Sequence, residues 1–435
     1  MNIPQNDQQR VVIVGAGFAG LMLARKLSKS NYQIVLIDRN NYHQFQPLFY
    51  QVAMAGLEPS TISFPLRRIL RSDSKVFIRI AEVKRIDFDN KMLDTDLGDL
   101  SYNYLVLAAG GKTNFFGNKG IEQIVLSLKS LSEALLVRNT ILDHYESAVV
   151  EEDHVKRQGY VDIVIIGGGP AGVELAGSLA EMKRYILPKD YNELNPREVD
   201  IFLIEANSRL LASMSSKSSA MAEKYLSKMG VHVMKNNRVA NVDQDYVYLQ
   251  DGSTIMSKNV IWTAGLVSIT FDGIPNEVIG RGKRLLVNKY NQLKNQPDVF
   301  VLGDQSFVEG DQDHPDGHPQ VAQVAMQQAA NLARNLTLKN RDEWKEFKYK
   351  DLGTLATIGR NKAVADFGKF HIHGFFAWVL WLFVHLYQLL GVRNKVIVFV
   401  NWVTNYIKYD QALRFIIKPK KDYRSELKSQ ESKPT

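Results

Sequence analysis

Residues 11–20 read VVIVGAGFAG and residues 163–172 read IVIIGGGPAG. Each is a β-branched apolar run, then a glycine turn, then a helix-like segment. The echo continues downstream. Each unit is followed by a strand ending in an acid: IVLID ends at Asp38 and IFLIE at Glu205. Each later has a third apolar run closed by small residues, YLVLAAGG at 104–111 and NVIWTAG at 259–265, and a further strand, DVFVLGD, ends at Asp304. Strands that alternate with helices and are apolar on both faces imply parallel sheets covered on both sides. The predicted fold class is α/β: two nested Rossmann-like dinucleotide-binding domains, the second inserted in the first. The predicted limits are 1–117 with 285–345 for the outer domain and 118–284 for the insert. The polar stretch 188–198 is a surface excursion, and 309–319 (EGDQDHPDGHP) is a loop. Past 345 the pattern stops and a C-terminal module, 346–435, begins.

Gly15, Gly17 and Gly20 have the G-x-G-x-x-G spacing, and Gly167, Gly169 and Gly172 repeat it. The first glycine permits the tight turn, the second lets backbone approach a pyrophosphate, and the third lets helix pack on strand. The phosphates sit on the helix N-terminus, where free N–H groups and the helix dipole favour negative charge. One such turn is weak evidence. Two, each opening a βαβ unit and each with a strand-end acid, are much stronger. Asp38 and Glu205 are the acids expected on a ribose. A carboxylate accepts from a 2′-OH and repels a 2′-phosphate, so Glu205 favours NADH over NADPH, with Arg209 nearby to blunt the preference.

The chain of 435 residues is 45% hydrophobic and 23% charged, with a formal charge of +8 and no cysteine. The missing thiols exclude disulfides, thiolate iron–sulfur clusters, dithiol redox pairs and cysteine nucleophiles. Electron transfer must then use a bound organic cofactor or a non-thiolate metal. Alone, the positive charge suits nucleic acid, an anionic membrane or many small anions; with the two nucleotide turns, no nucleic-acid partner is expected. The polar opening MNIPQNDQQR is not a signal peptide, which places the bulk of the chain in the cytoplasm.

The stretch GFFAWVLWLFVHLYQLLG (374–391) is apolar but short for a membrane span. It carries His385, Gln388, Trp378, Trp381 and Tyr387, and Arg393 and Lys395 follow. VIVFVNWVTNYI (396–407) leads to a cluster of Lys418, Lys420 and Lys421. Interfacial aromatics beside basic residues suit helices lying in a membrane surface. The C-terminal module is therefore predicted to be a membrane-associating α module, with a homodimer contact expected there as well. No set of membrane spans or buried carboxylate chain suggests ion pumping.

The two nested units resemble the two-dinucleotide-binding flavoprotein superfamily, and within it type II NADH:quinone oxidoreductase, the single-chain non-pumping NADH dehydrogenase. The likeness rests on NYHQFQPLFYQVA (41–53), GPAGVELAG (169–177), PQVAQVAMQQ (319–328) and the C-terminal run with its following NWVTNY. Pro319 stands alone where many members have paired prolines. The resemblance implies one non-covalent FAD at the outer site, NADH as substrate at the inserted site, and a membrane quinone as acceptor. Its setting is the cytoplasmic face of the cell membrane, peripheral or monotopic. It implies that Gly303-Asp304 touches the flavin side, with Asp304 on the ribityl chain. Gly110, Ala264 and Gly265 are the small residues expected against the dinucleotides. Glu174 is expected near nicotinamide and quinone, relaying protons from the first turn of its helix. Gln323 and Gln327, one helical turn apart, are expected to donate to a quinone carbonyl. Phe45, Pro47 and Leu48 are expected to pack near flavin or quinone, with Gln46 and Tyr50 beside them; His43 is given no catalytic role. Sulfide:quinone and disulfide reductases need redox cysteines. A ferredoxin-type reductase leaves PQVAQVAMQQ and the apolar C-terminus unexplained, and two complete nucleotide sites argue against a sensing module without turnover. No metal site is assigned; His314 and His318 sit in an acidic loop as a weak option.

Overall fold

The computed structural model describes residues 1–73, 75–408 and 413–416. The outer domain is built on an eight-stranded sheet. Its strands run in the order Ser306–Val308, Leu285–Val287, Gln292–Leu293, Gln296–Val301, Tyr104–Leu107, Arg10–Val14, Gln33–Asp38 and Val76–Ile80. The five strands from Gln296–Val301 to Val76–Ile80 are mutually parallel. Val11, Val12 and Ile13 are fully buried, as expected of a strand covered on both faces. One face carries the first nucleotide helix, Phe18–Leu27, packed beside Ala322–Thr337 in one apolar core.

The insert repeats the plan. Five parallel strands run Leu126–Ser127, Asn259–Trp262, Ile163–Ile166, Ile201–Ile204 and Val231–Met234. The second nucleotide helix, Pro170–Tyr185, follows Ile163–Ile166, and its proline at the first position suits a helix start. Each unit also carries a three-stranded antiparallel sheet, at 83–101 and at 239–256. The chain leaves and re-enters the outer unit side by side: Gly111–Thr113 pairs antiparallel with Leu266–Ser268. The long helix Leu131–Val150 opens with a capping box, Ser130 with Glu133.

The C-terminal module holds the expected helices and, ahead of them, a sheet. It begins with an antiparallel sheet of Thr354–Thr357, Ala363–Phe367 and Phe370–His373. These short strands are separated by turns at Gly359 and Gly368, both with positive φ. Two helices follow, Phe375–Gln388 and Val392–Lys408. The sheet and Trp381 join the core of the insert. Among the described residues no helix is long and apolar enough to cross a membrane. Lys418, Lys420 and Lys421 lie outside the described residues.

Candidate active site

The two glycine turns are held in the same way. Asp38 Oδ2 accepts from the Ala16 N–H at 2.6 Å, and Oδ1 from the Asn40 N–H at 2.7 Å. Glu205 Oε2 accepts from the Gly168 N–H and Oε1 from the Asn207 N–H, both at 2.7 Å. Each acid therefore braces the turn beneath it, a task the sequence reading did not give it. Arg209 donates to the Ala212 carbonyl at 2.7 Å. Burial raises the Asp38 pKa, against the backbone N–H groups that lower it.

The glycines divide by what surrounds them. A Cβ on Gly15 would lie 2.2 Å from the Ala108 carbonyl oxygen, and one on Gly20 only 1.8 Å from that of Gly15. Gly167 and Gly172 repeat this at 2.7 Å from the Ala264 nitrogen and 2.0 Å from the Gly167 oxygen. Apart from the neighbouring residues of the chain itself, a Cβ on Gly17 or Gly169 would meet nothing within 4 Å among the described residues. The first and third glycines are required by the protein's own packing. The middle ones face open space at a helix N-terminus, the place where a phosphate approaches. The residues present thus fit a dinucleotide at each turn.

A cleft of about 1040 Å³ runs from the first turn past Asp38, Gly110, Gly303 and Asp304, and on to Glu174, Gln323 and His385. It touches the second unit at Pro170 and Ala171, whereas Gly167, Gly169, Gly172, Glu205, Ala264 and Gly265 lie outside its lining. Two buried glutamines that the sequence reading missed fix the Gly303-Asp304 corner. Gln328 Oε1 accepts from the Gly303 N–H at 2.7 Å. Gln305 Oε1 accepts from the Ala109 N–H at 2.6 Å, and its Nε2 donates to the Ile269 carbonyl at 2.7 Å. The Asp304 carbonyl accepts from Ser268 Oγ at 2.7 Å and Gln320 Nε2 at 2.9 Å, and its Oδ2 lies 3.7 Å from Lys129 Nζ. A glutamine amid apolar strand-end residues was the available signal for Gln305.

Glu174 is the fifth residue of a helix that starts at Pro170. It sits just past the first turn that the sequence suggested, on the buried side of the helix. It is 7% exposed. Its Oε1 accepts from the Thr357 N–H at 3.3 Å and from Trp381 Nε1 at 3.2 Å. Burial pushes its pKa up to about 8, against those two donors, which lower it. Trp381 stacks on His385 with ring centroids 3.9 Å apart. Burial lowers the His385 pKa to about 4. Tyr50 packs edge-on to Trp381. The Thr357 and Trp381 contacts lie far along the chain, and no local pattern announces them.

The glutamine pair is not presented as expected. Gln323 lines the cleft, but Gln327 does not. Gln323 Nε2 donates to the Gly353 carbonyl at 2.9 Å, and its Oε1 accepts from the Leu352 N–H at 3.2 Å. Gln327 makes the same double bond with Lys350, at 2.9 and 3.0 Å. Both amides strap residues 350–353 across the helix. Gln46, Pro47 and Tyr50 line the cleft, whereas Phe45 and Leu48 are buried in the core. His43 Nδ1 meets the Ala16 carbonyl at 2.9 Å beneath the first turn.

Each of the two C-terminal helices presents an exposed apolar face. Phe376, Val379, Phe383 and Tyr387 are exposed on the first, and Val396, Phe399, Val403 and Ile407 on the second, at the same helical spacing. The opposite faces are anchored: Trp378 stacks on Tyr406, and Trp402 Nε1 donates to Gln51 Oε1 at 2.8 Å.

The family described as "Pyridine nucleotide-disulphide oxidoreductase" matches residues 9–329, and "NDH2 C-terminal domain" matches residues 352–408. A type II NADH:quinone oxidoreductase, NdhA, of Mycobacterium tuberculosis is 34% identical over 92% of this chain and 87% of its own length. The type II NADH:quinone oxidoreductase of Staphylococcus aureus is 28% identical, over 83% of this chain and 91% of its own. The structure of NDH2 from Plasmodium falciparum in complex with NADH superposes with a TM-score of 0.86 at 20% identity, over 94% of this chain and all of that one. The sulfide:quinone oxidoreductase of Aquifex aeolicus shares the fold at a TM-score of 0.70. With likeness running through both nucleotide units and into the C-terminal module, the chain belongs to the type II NADH:quinone oxidoreductase family.

Proposed function

We propose that this protein catalyses NADH + H⁺ + quinone → NAD⁺ + quinol at a membrane surface, without ion pumping, and that Glu174 holds the proton the quinone takes up. FAD, when bound, supplies the electron sink between the two-electron donor and acceptor. Gly15, Gly17, Gly20, Asp38, Gly110, Gly303 and Asp304 would hold it. Gly167, Gly169, Gly172, Glu205, Ala264 and Gly265 would hold NADH. The rest of the chemistry asked of this chain is positioning, exclusion of water and proton supply. Both donors to Glu174 converge on Oε1, so its proton resides on Oε2. A carboxyl that titrates near neutrality is suited to general acid work. Gln323 closes the wall of the quinone end; its strapped amide supports a shaping role. Gln327 acts through the strap.

The observation that carries the reading is the position of Glu174. It stands on the nucleotide helix of the insert, lines the cleft that begins at the outer turn, and bonds to the C-terminal module. All three units meet at that carboxyl. The units are read as 1–117 with 285–345, 118–284 and 346–435, a division supported by the sheet topology. The exposed apolar surface of Phe375–Lys408 supports peripheral docking on the cytoplasmic face of the cell membrane, and we place contacts with a second copy in the same module. Light scattering on detergent-purified protein tests the dimer. The test of function is NADH oxidation by flavin-loaded protein with and without a short-chain quinone. Quinone-dependent turnover that collapses in Glu174→Gln while the visible flavin spectrum persists supports the reading. Full quinone reduction by that variant removes Glu174 from it.

A further inference from the structure

We propose that Asp311, His314 and His318 bind one divalent transition-metal ion of the zinc class. The loop that carries them is polar, yet it folds inward. His318 is 1% exposed, and neither of its ring nitrogens has a hydrogen-bond partner; the same is true of His314 Nδ1. A buried ring nitrogen left without a partner, as His318 Nδ1 is, is costly, and native interiors rarely tolerate it. The Asp311 carboxylate is close: its Oδ2 lies 3.1 Å from His318 Nε2, and its Oδ1 3.9 Å from His314 Nδ1.

Shared coordination would draw these three donors closer together on one ion. Ligand bonds of about 2.0–2.2 Å at tetrahedral or octahedral angles leave neighbouring donor atoms roughly 3 Å apart, with each lone pair aimed at the ion. One donor atom from each of the three residues falls within 4.8 Å of the others. The two rings are stacked at 4.6 Å. The pair has the H-x₃-H spacing of known zinc ligands, and two imidazoles with one carboxylate leave a position open. Phe347 and Tyr349 close edge-on over His318 and screen it from water. The nearby cation Arg284 is engaged elsewhere, donating to the Ser306 carbonyl at 2.7 Å with its guanidinium over Phe307. His314 also lines the cleft, so an ion here would stiffen the wall that continues into Pro319 and Gln320.

The experiment uses the full-length, flavin-loaded protein, stripped with chelator and titrated with Zn²⁺ alone by calorimetry. One Zn²⁺ per chain is expected, with a raised melting temperature at saturation. Co²⁺ at the same site should give visible bands to the red of the flavin. His314→Ala and Asp311→Asn should each weaken Zn²⁺ binding at least about tenfold while keeping wild-type flavin content and metal-free melting temperature. If the alanine variant fails to fold, the near-isosteric asparagine decides. Wild-type affinity and stoichiometry retained in the folded variants, or no stoichiometric Zn²⁺ in the wild type, overturns the proposal.

Discussion

Trp381 Nε1–H donates to Glu174 Oε1 across 3.2 Å and joins residues 207 positions apart. This bond couples the C-terminal helix to the nucleotide helix of the insert, and both partners are buried. Because a donor stabilises the ionised carboxylate more than the neutral acid, the bond holds the carboxyl pKa down against burial.

The linkage to pH follows from the same pair. The Glu174 pKa is raised from 4.5 to about 8, so at intermediate pH the native state binds a proton that the unfolded chain has lost. Its stabilising contribution is fully present below about 4.5 and is lost as pH rises through about 8. Glu174→Gln should flatten this part of the stability–pH curve in denaturant titrations. Trp381→Phe should cost about 1–2 kcal/mol and shift the pH profile of quinone turnover upward. A profile unmoved by Trp381→Phe would show that the bond does not govern the proton.

The glycines should separate by function. Gly17→Ala should fold and yield protein poor in FAD, because its Cβ enters the space a pyrophosphate needs. Gly169→Ala should keep its flavin and raise the KM for NADH. Gly20→Ala must push its Cβ against the Gly15 carbonyl at 1.8 Å and should fail to accumulate as folded protein. Visible spectra and melting curves of the three variants check this ordering.

Of the two strap glutamines, only Gln323 borders the cleft. Gln323→Leu should raise the quinone KM several-fold and leave NADH-to-ferricyanide activity intact. Gln327→Ala loses two hydrogen bonds to Lys350, worth about 1–3 kcal/mol together. It should lower the melting temperature and leave the quinone KM near wild type.

Phe376 and Phe383 are 77% and 66% exposed, so glutamates there strain no core. The double variant Phe376→Glu, Phe383→Glu should fold, bind flavin and float poorly with anionic vesicles. Equal flotation of wild type and variant would move membrane contact away from this surface. Truncating the helix would be a poorer test, because Trp381 and Ala377 belong to the core.

Much of the fold was legible because it is repeated. Two glycine turns, two strand-end acids and two small-residue closures each reflect local backbone geometry, which a sequence shows directly. What stayed hidden is contact between distant segments. That Gln328 holds Gly303, or that Thr357 meets Glu174, depends on packing between separate units. The C-terminal sheet was missed because TLAT and AVADF are too short for a period-2 pattern to stand out beside two strongly apolar helices. The glutamine pair was placed on the right helix, but its partner, the strap at 350–353, has no pattern of its own.

The outer sheet has one further consequence, for synthesis. Leu105 pairs with Val299, so the strand that completes the parallel core emerges from the ribosome only after the entire insert. The insert is continuous in sequence and has its own parallel sheet, so its strands can pair before the chain returns to the outer sheet. The amino-terminal strands must wait, with one edge unsatisfied, for the return of the chain. Nascent chains stalled after Arg284 should show protease resistance confined to the insert, and FAD should protect the remainder only once residues beyond Asp304 are free. Flavin capture then waits on the return of the chain beyond the insert.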